Sequence, residues 1–347
     1  MLNQFPRAIN FSLSNACSAN CLFCPTDRGR KSQAKFMELE VFKAVFQNLT
    51  TNLSCQEKAN LIVRVGENGD LFLNPDFVRI LKEIRHRVPE AKVELYNHFF
   101  LFSPEISEIL IKQSLVDSIF TNIDGIDENY FQTKSIPFKR TFDNLKFFLE
   151  KRRKEDHSQI SLNVRVLTHA KYCRTVFRNF GVWPAKYNPN HELPKDDYNE
   201  VSNLLKPILD NRLDTFSRSS AVLWAERGHI SISKSIQKAY SCPQMFRIES
   251  EVFVSPEGKW YLCCLDSKQE LVIGDLCVQP FSELVVCEDR RNFLKFLKSK
   301  AFAKVGGPCN SVHCCQVYSE QPFVSRLLRI MARYPKIVNL FFLLHHG

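Results

Sequence analysis

Apolar positions in the first half of the chain recur with two alternating periods. Ala8 to Leu13 puts Ile9, Phe11 and Leu13 on one side and Asn10 and Ser12 on the other, a period of two that predicts a strand. Glu38 to Leu49 then places Phe42, Val45, Phe46 and Leu49 at helical spacing. Leu61 to Val65 predicts a second strand ending at Gly66. Asn74-Pro75 predicts a helix start, an N-cap followed by proline in the first turn, with Phe77, Ile80, Leu81, Ile84 and Val88 on its inner face. Lys92 to Tyr96 is a third strand, and Ser103-Pro104 opens a helix through Ile106, Ile109 and Leu110. Ser118 to Ile123 is a fourth strand, and Phe138, Phe142, Leu145, Phe148 and Leu149 mark a long helix. Ile160 to Leu167 gives a fifth strand and Phe180 to Trp183 a sixth. Strands and helices alternating at this spacing predict an α/β fold with a parallel sheet. A barrel built this way carries its site at the carboxyl ends of the strands.

The pattern changes after Asn188 to Pro194, a polar, proline-containing boundary. Lys195 to Leu209 has the apolar spacing of a packing helix. From Cys242 onward cysteine takes over: eight of the thirteen cysteines fall between Cys242 and Cys315. Arg326, Arg329, Arg333 and Lys336 recur at near-helical spacing beside Leu327, Leu328, Ile330 and Met331. Such a basic amphipathic helix either docks on the barrel or lies peripherally on an anionic membrane. The expected division is 1–187 for the barrel, 188–241 for a helical linker, 242–320 for the cysteine-rich part and 321–347 for the terminal helix.

The 347 residues are 44% apolar and 24% charged, ordinary for a soluble globular protein. Lys and Arg number 47 against 37 Asp and Glu, a formal charge of +10 that favours acidic partners. No helix-turn-helix, zinc-finger or RNA-binding signature accompanies that charge, so no nucleic acid is expected. The amino terminus has no charged-then-apolar leader, and no apolar run reaches the ~20 residues of a spanning helix. The cytoplasm is therefore the expected compartment, and clustered cysteines there read as metal ligands rather than disulfides.

The most specific chemistry lies after the first strand, in Asn15-Ala16-Cys17-Ser18-Ala19-Asn20-Cys21-Leu22-Phe23-Cys24-Pro25. The C-x3-C-x2-C spacing supplies three thiolates from one short loop. A four-iron cluster takes four ligands, so three leave one iron open. Half a zinc ribbon is the plainer alternative, although ribbons favour paired C-x2-C hooks. The loop resembles the signature of the radical S-adenosylmethionine (AdoMet) enzymes. That resemblance implies a [4Fe–4S] cluster on Cys17, Cys21 and Cys24 whose open iron chelates AdoMet, with Phe23 near the adenine. It also implies a partial (βα)6 barrel of the TIM type.

Further residues extend the resemblance. Gly66-Glu67-Asn68-Gly69-Asp70-Leu71 resembles the family's glycine-glycine-glutamate-proline motif, with Asp70 in the acid's place and Leu71 in the proline's. The family role carries over to Asp70 as the partner of the AdoMet ammonium group, with Gly66 and Gly69 allowing close backbone approach. Asn97-His98 and Asn122-Ile123-Asp124-Gly125 resemble family segments at the ends of the third and fourth strands. Asn97 is assigned to the AdoMet site, Asn122 to its ribose or methionine part, and Arg165 to its carboxylate. A satisfied strand-end polar group is the alternative for each, and His98 is read as structural.

Cys242, fifteen residues, Gly258, four residues and Cys263 resemble the opening of SPASM and twitch extensions, which bind auxiliary four-iron clusters. The resemblance implies one auxiliary cluster held by Cys242, Cys263, Cys309 and Cys314, with Cys264 and Cys315 as alternates. Val252 to Ser255 and Lys259 to Leu262 predict a hairpin around Pro256-Glu257-Gly258. The C-x2-C-x5-C-x3-C section of full SPASM domains is absent, and four cysteines would equally suit a zinc knuckle. Cys277 and Cys287 have no assigned role, while Cys55 and Cys173 read as buried small hydrophobes.

The resemblance implies an enzyme, an oxidoreductase or epimerase. An acidic donor, flavodoxin or ferredoxin, reduces the cluster; AdoMet is split to a 5'-deoxyadenosyl radical; and that radical takes hydrogen from a substrate carbon. The expected substrate is small and polar, a sugar or aminocyclitol, because the chain opens directly on the first barrel strand without an added domain to grip a leader peptide. A maturase of ribosomally made peptides is the second reading. A non-catalytic iron–sulfur or zinc protein for electron transfer or structure is the third.

Overall fold

The computed structural model describes residues 5–21, 24, 34–155, 158–168, 186–187, 197–220, 230–231, 242, 244–266 and 268–310. Strand β1 (Ala8–Phe11) is flanked by β2 (Ile62–Val65) on one side, with β3 (Lys92–Tyr96), β4 (Ser118–Asn122) and β5 (Ser161–Thr168) following in order, every pair parallel. These are the five strands expected from the apolar runs, to within two residues. Helices between them cover the sheet: α1 (Leu39–Thr50), the short α2 (Cys55–Ala59), α3 (Phe77–Arg87), α4 (Pro104–Lys112), α5 (Asp127–Lys134) and α6 (Phe138–Lys154). Ala8, Ile9 and Phe11 are fully buried, and the Phe11 ring packs on Phe42 of α1 at 4.8 Å between centroids. Ser103 caps α4 by accepting from the Ile106 amide at 3.3 Å, with Pro104 in the first turn as expected.

Several expectations change. The Phe180–Trp183 strand lies outside the described residues, and a two-residue pairing joins β6 (Lys186–Tyr187) to β8 (Ile230–Ser231). The strand beside β5 is β7 (Thr215–Ser220), parallel to it and read from Thr-Phe-Ser-Arg-Ser-Ser, which has no apolar alternation. Asn74 does not cap α3. A single 3-10 turn, Leu71–Leu73, intervenes and the helix starts at Phe77. Asn74 is instead a buried brace, its amide donating to the carbonyls of Leu13 and Met37, both at 2.9 Å. The helix expected over Lys195–Leu209 is α7 (Tyr198–Leu205) closed by a 3-10 turn, because Pro207 cannot continue it. Cys55 is exposed at the start of α2 rather than buried, and Cys173 lies outside the described residues.

After α8 (Met245–Ser250) the chain returns to the sheet. Strand β9 (Glu251–Val254) lies parallel to β1 on the side opposite β2, with Ala8 opposite Glu251 and Phe11 opposite Val254. The expected hairpin follows: β9 pairs antiparallel with β10 (Lys259–Tyr261), and β10 with β11 (Val272–Asp275). Gly258 makes its turn at φ +81°. The nine-stranded sheet therefore runs β11-β10-β9-β1-β2-β3-β4-β5-β7, so the cysteine-rich region is continuous with the barrel. Helices α9 (Phe281–Val285) and α10 (Glu288–Lys298) pack beyond it. Among the described residues no helix is long and apolar enough to cross a membrane. The amphipathic stretch at 321–347 lies outside them.

Candidate active site

The loop after β1 is tied at two points. The Asp70 amide donates to the Ala16 carbonyl and the Asn20 amide to the Lys134 carbonyl, both at 2.7 Å. The end of β2 and the end of α5 thus grip the segment carrying Cys17 and Cys21. Gly69 makes the first grip possible. It stands at φ +73°, and a Cβ there would come 2.2 Å from the Ser14 carbonyl oxygen and 2.7 Å from that of Ala16. Gly69→Ala costs about 1–2 kcal/mol for the left-handed backbone alone, and the contact with the loop adds to it. The expected result is a lower melting temperature together with reduced iron uptake; unchanged iron uptake would remove Gly69 from the loop's support.

Burial pushes the Cys17 thiol up to about 12, and the charges of Asp70, Cys21 and Cys24 push the same way. The three thiols thus share one electrostatic neighbourhood, and a metal bound there would have to displace their protons. Among the described residues no three Cys, His, Asp or Glu side chains close round a single ion. A cubane is larger than one ion, and three thiols from one loop are the donor set that iron–sulfur clusters take. Phe23 lies outside the described residues.

Beside this loop the carboxyl ends of β2 to β5 surround a cavity of about 200 Å³. Gly66, Gly69, Asp70, Asn97, Asn122 and Arg165, all expected at one site, line it together. Tyr96, His98, Lys134 and Glu67 also line it and were not expected there. Asp70 is almost wholly buried. It accepts from the Ser18 hydroxyl at 2.5 Å and the Phe72 amide at 3.1 Å, and lies 3.4 Å from His98 Nε2. Burial alone would raise its carboxyl, but the bond and charge of His98 and the Ser18 hydroxyl outweigh it and hold Asp70 below the usual carboxylate range.

His98 also lines the cavity. Its Nδ1 accepts from the Phe100 amide at 3.3 Å, and its Nε2 faces Asp70, Ser18 Oγ at 3.3 Å and Cys17 Sγ at 3.9 Å. Lys134 forms a buried ion pair with Asp124 at 2.6 Å. Burial opposes its charge, but Asp124 and Cys21 raise it above the ordinary lysine value. Two cavity-lining polar atoms, Asn97 Nδ2 and Thr121 Oγ1, are buried without a hydrogen-bond partner among the described residues. Glu67 Oε2 is a third. Buried polar atoms in proteins are nearly always bonded, so orphans converging on one cavity mark where a polar ligand fits.

The second cysteine field is packed against β9 and β10. Cys242, Cys263 and Cys309 are buried, while Cys314 and Cys315 lie outside the described residues. The Cys263 thiol is raised well above its ordinary value by its hydrogen bond with Cys264, by burial and by the charges of Cys264 and Cys242. Cys287 instead caps α10, its sulfur accepting from the Arg290 amide at 3.4 Å. Cys277 contacts the Glu257 carbonyl at 3.9 Å.

A mostly parallel α/β sheet with a three-cysteine loop after its first strand and a cavity at the carboxyl ends of its strands is the fold that the resemblance to radical SAM enzymes leads one to expect. Within the chain, residues 242–315 match the SPASM family, an iron–sulfur cluster-binding domain. Three solved structures share the fold. BtrN in complex with AdoMet and 2-DOIA is 14% identical, covering 91% of this chain and 93% of that chain at a TM-score of 0.53. Native anSMEcpe with bound AdoMet and Cp18Cys peptide is 13% identical, covering 96% and 98% at 0.52. SuiB from Streptococcus suis is 12% identical, covering 84% and 68% at 0.51. No curated protein sequence matches the chain.

Proposed function

We propose that the chain is a radical SAM enzyme that takes hydrogen from a carbon of a small polar substrate and thereby oxidises or epimerises it. The observation that carries this reading is the chain Cys17–His98–Asp70–Ser18, which joins the three-cysteine loop directly to the cavity. When bound, the [4Fe–4S] cluster and AdoMet supply the one-electron cleavage that yields the 5'-deoxyadenosyl radical. Cys17, Cys21 and Cys24 hold that cluster. Asp70 meets the AdoMet ammonium group, Arg165 its carboxylate, and Asn97 and Asn122 its remaining polar atoms, with Gly66 and Gly69 leaving room for the backbone to approach. Phe23 contributes beside the adenine. Cys242, Cys263, Cys309 and Cys314 hold one auxiliary cluster, with Cys264 and Cys315 as alternates. The charge of +10 suits an acidic flavodoxin or ferredoxin as reductant.

The fold shared with a complex holding 2-DOIA supports a sugar- or aminocyclitol-sized substrate. The peptide-bound anSMEcpe supports the second reading, a peptide maturase. Anaerobic reconstitution with iron and sulfide, followed by a test for 5'-deoxyadenosine, decides between an enzyme and a passive metal protein; a zinc-only preparation that forms none would sink the proposal. Asp70→Asn removes a charge-assisted bond worth about 1.5–3 kcal/mol, so AdoMet binding should weaken roughly 10- to 100-fold. Equilibrium dialysis with labelled AdoMet checks this, and an unchanged Kd would take Asp70 out of the binding site.

A further inference from the structure

Arg247 of α8 stands between the cysteine field and the cavity and bonds to both. Its Nη1 donates to Cys264 Sγ at 3.2 Å, and its Nη2 donates to Glu67 Oε1 at 2.7 Å and to Asn10 Oδ1 at 3.2 Å. Its Nε donates to Glu251 Oε2 at 2.8 Å, and the guanidinium lies 5.1 Å from the Phe253 ring centre. Glu251 is itself fixed by Arg64 at 2.9 Å and Asn10 at 3.1 Å, so the position of Arg247 is set from several sides. Burial disfavours the arginine's charge, but Cys264, Glu67 and Glu251 raise its pKa further above an already high value. Glu67 uses only one oxygen in this arrangement. Its Oε2 is buried at the cavity with no hydrogen-bond partner among the described residues, and burial raises its carboxyl despite Arg247.

We propose that Arg247 couples the auxiliary cluster to the cavity, donating one N–H to Cys264 Sγ and another to Glu67, whose second oxygen receives a hydroxyl or ammonium hydrogen of the substrate. This rests on the radical SAM reading and on an auxiliary cluster that takes Cys264, the alternate to Cys263, as a ligand. An arginine bonded to a cluster-ligand sulfur stabilises the more negative, reduced state, and such outer contacts tune cluster potentials. Arg247 is therefore a positioning residue, and Glu67 the group that grips the substrate. The fork geometry matters because only a guanidinium reaches both groups along fixed directions.

The two ends of this link give opposite signs. Removing the guanidinium lowers the auxiliary potential. Removing the Glu67 charge frees the guanidinium's field for the sulfur and raises it. EPR-monitored redox titration of the fully reconstituted enzyme, carrying about eight irons per chain, compares wild type with Arg247→Met, Arg247→Lys and Glu67→Gln. The expected result is a downward shift for Arg247→Met, a smaller downward shift for Arg247→Lys and an upward shift for Glu67→Gln. D-glucosamine, which carries both hydroxyl and ammonium donors, should perturb the wild-type auxiliary signal and lose that effect in Glu67→Gln. An unshifted potential in both Arg247 variants, a Glu67→Gln shift of the same sign as theirs, or a wild-type signal indifferent to glucosamine overturns the coupling. A wild-type preparation with only about four irons overturns the auxiliary-cluster reading as well, and the iron count tells that failure from the others.

Discussion

Serine at Cys17, Cys21 or Cys24 should abolish 5'-deoxyadenosine formation and lower the iron content from about eight to about four per chain, the remainder being the auxiliary cluster. A serine hydroxyl is a poor ligand for cluster iron, and a loop with two thiolates cannot hold a cubane that already lacks its fourth protein ligand. The loss is expected to be local. The loop's fastenings run through backbone groups of Ala16 and Asn20, which serine leaves intact, so the far-ultraviolet dichroism should match wild type. Cys242→Ser is the mirror case: half the iron goes, but the AdoMet-binding cluster stays. Iron and sulfide analysis beside chromatographic detection of 5'-deoxyadenosine checks both. Full 5'-deoxyadenosine formation in the triple serine variant would end the proposal that this loop holds the AdoMet cluster.

Arg152→Met should cost about 3–5 kcal/mol of stability, the penalty of stranding one member of a buried ion pair. Arg152 on α6 meets Asp214 through two bonds of 2.7 Å, with 2% and 0% of the two side chains exposed. A third bond of 2.7 Å runs from the same guanidinium to the Ile160 carbonyl. Asp214 also accepts from the amides of Leu162 and Asp210 at 2.9 and 2.8 Å. The pair therefore joins α6, the start of β5 and the turn into β7. Removing the arginine leaves the carboxylate buried with only amides to answer it. Arg152→Met/Asp214→Asn, which removes the stranded charge, should recover a large part of the loss. Urea unfolding of the four-member cycle measures this, and additive single effects would show that the two side chains do not act as a pair. Because β5 carries Arg165 to the cavity wall, the single variant should also weaken AdoMet binding.

The sheet was readable where apolar residues dominate and unreadable where they do not. β1, β2, β3 and β5 place Ile9 and Phe11, Val63 and Val65, Val93 and Leu95, and Leu162, Val164 and Val166 at alternate buried positions, and that period is what shows in the sequence. β7 escaped because its side chains are mostly serine, threonine and arginine, and pairing with β5 rather than apolar content makes it a strand. Helix α5 escaped because Asp-Glu-Asn-Tyr-Phe-Gln-Thr-Lys has no apolar stripe, yet its last residue, Lys134, lines the cavity. The cysteine loop and the strand-end residues were legible because their chemistry is local. The pairing of Arg247 with Glu67 was not, since 180 positions separate them and Glu67 sits in a segment read for Gly66, Gly69 and Asp70. His98 was visible in the sequence, but its approach to Cys17 and Asp70 was not, because they come from different strand ends.

The parallel ladder between Ala8–Phe11 and Glu251–Val254 makes the amino-terminal strand a middle strand rather than a border. A chain cut before residue 251 would lay open one whole edge of that strand, an invitation to intermolecular pairing and precipitation. The cysteine-rich tail is thus no detachable cartridge. Exchanging it between relatives would mean exchanging a stave of the barrel, and the spacing of the two sulfur-rich regions is held by main-chain rungs rather than by a tether.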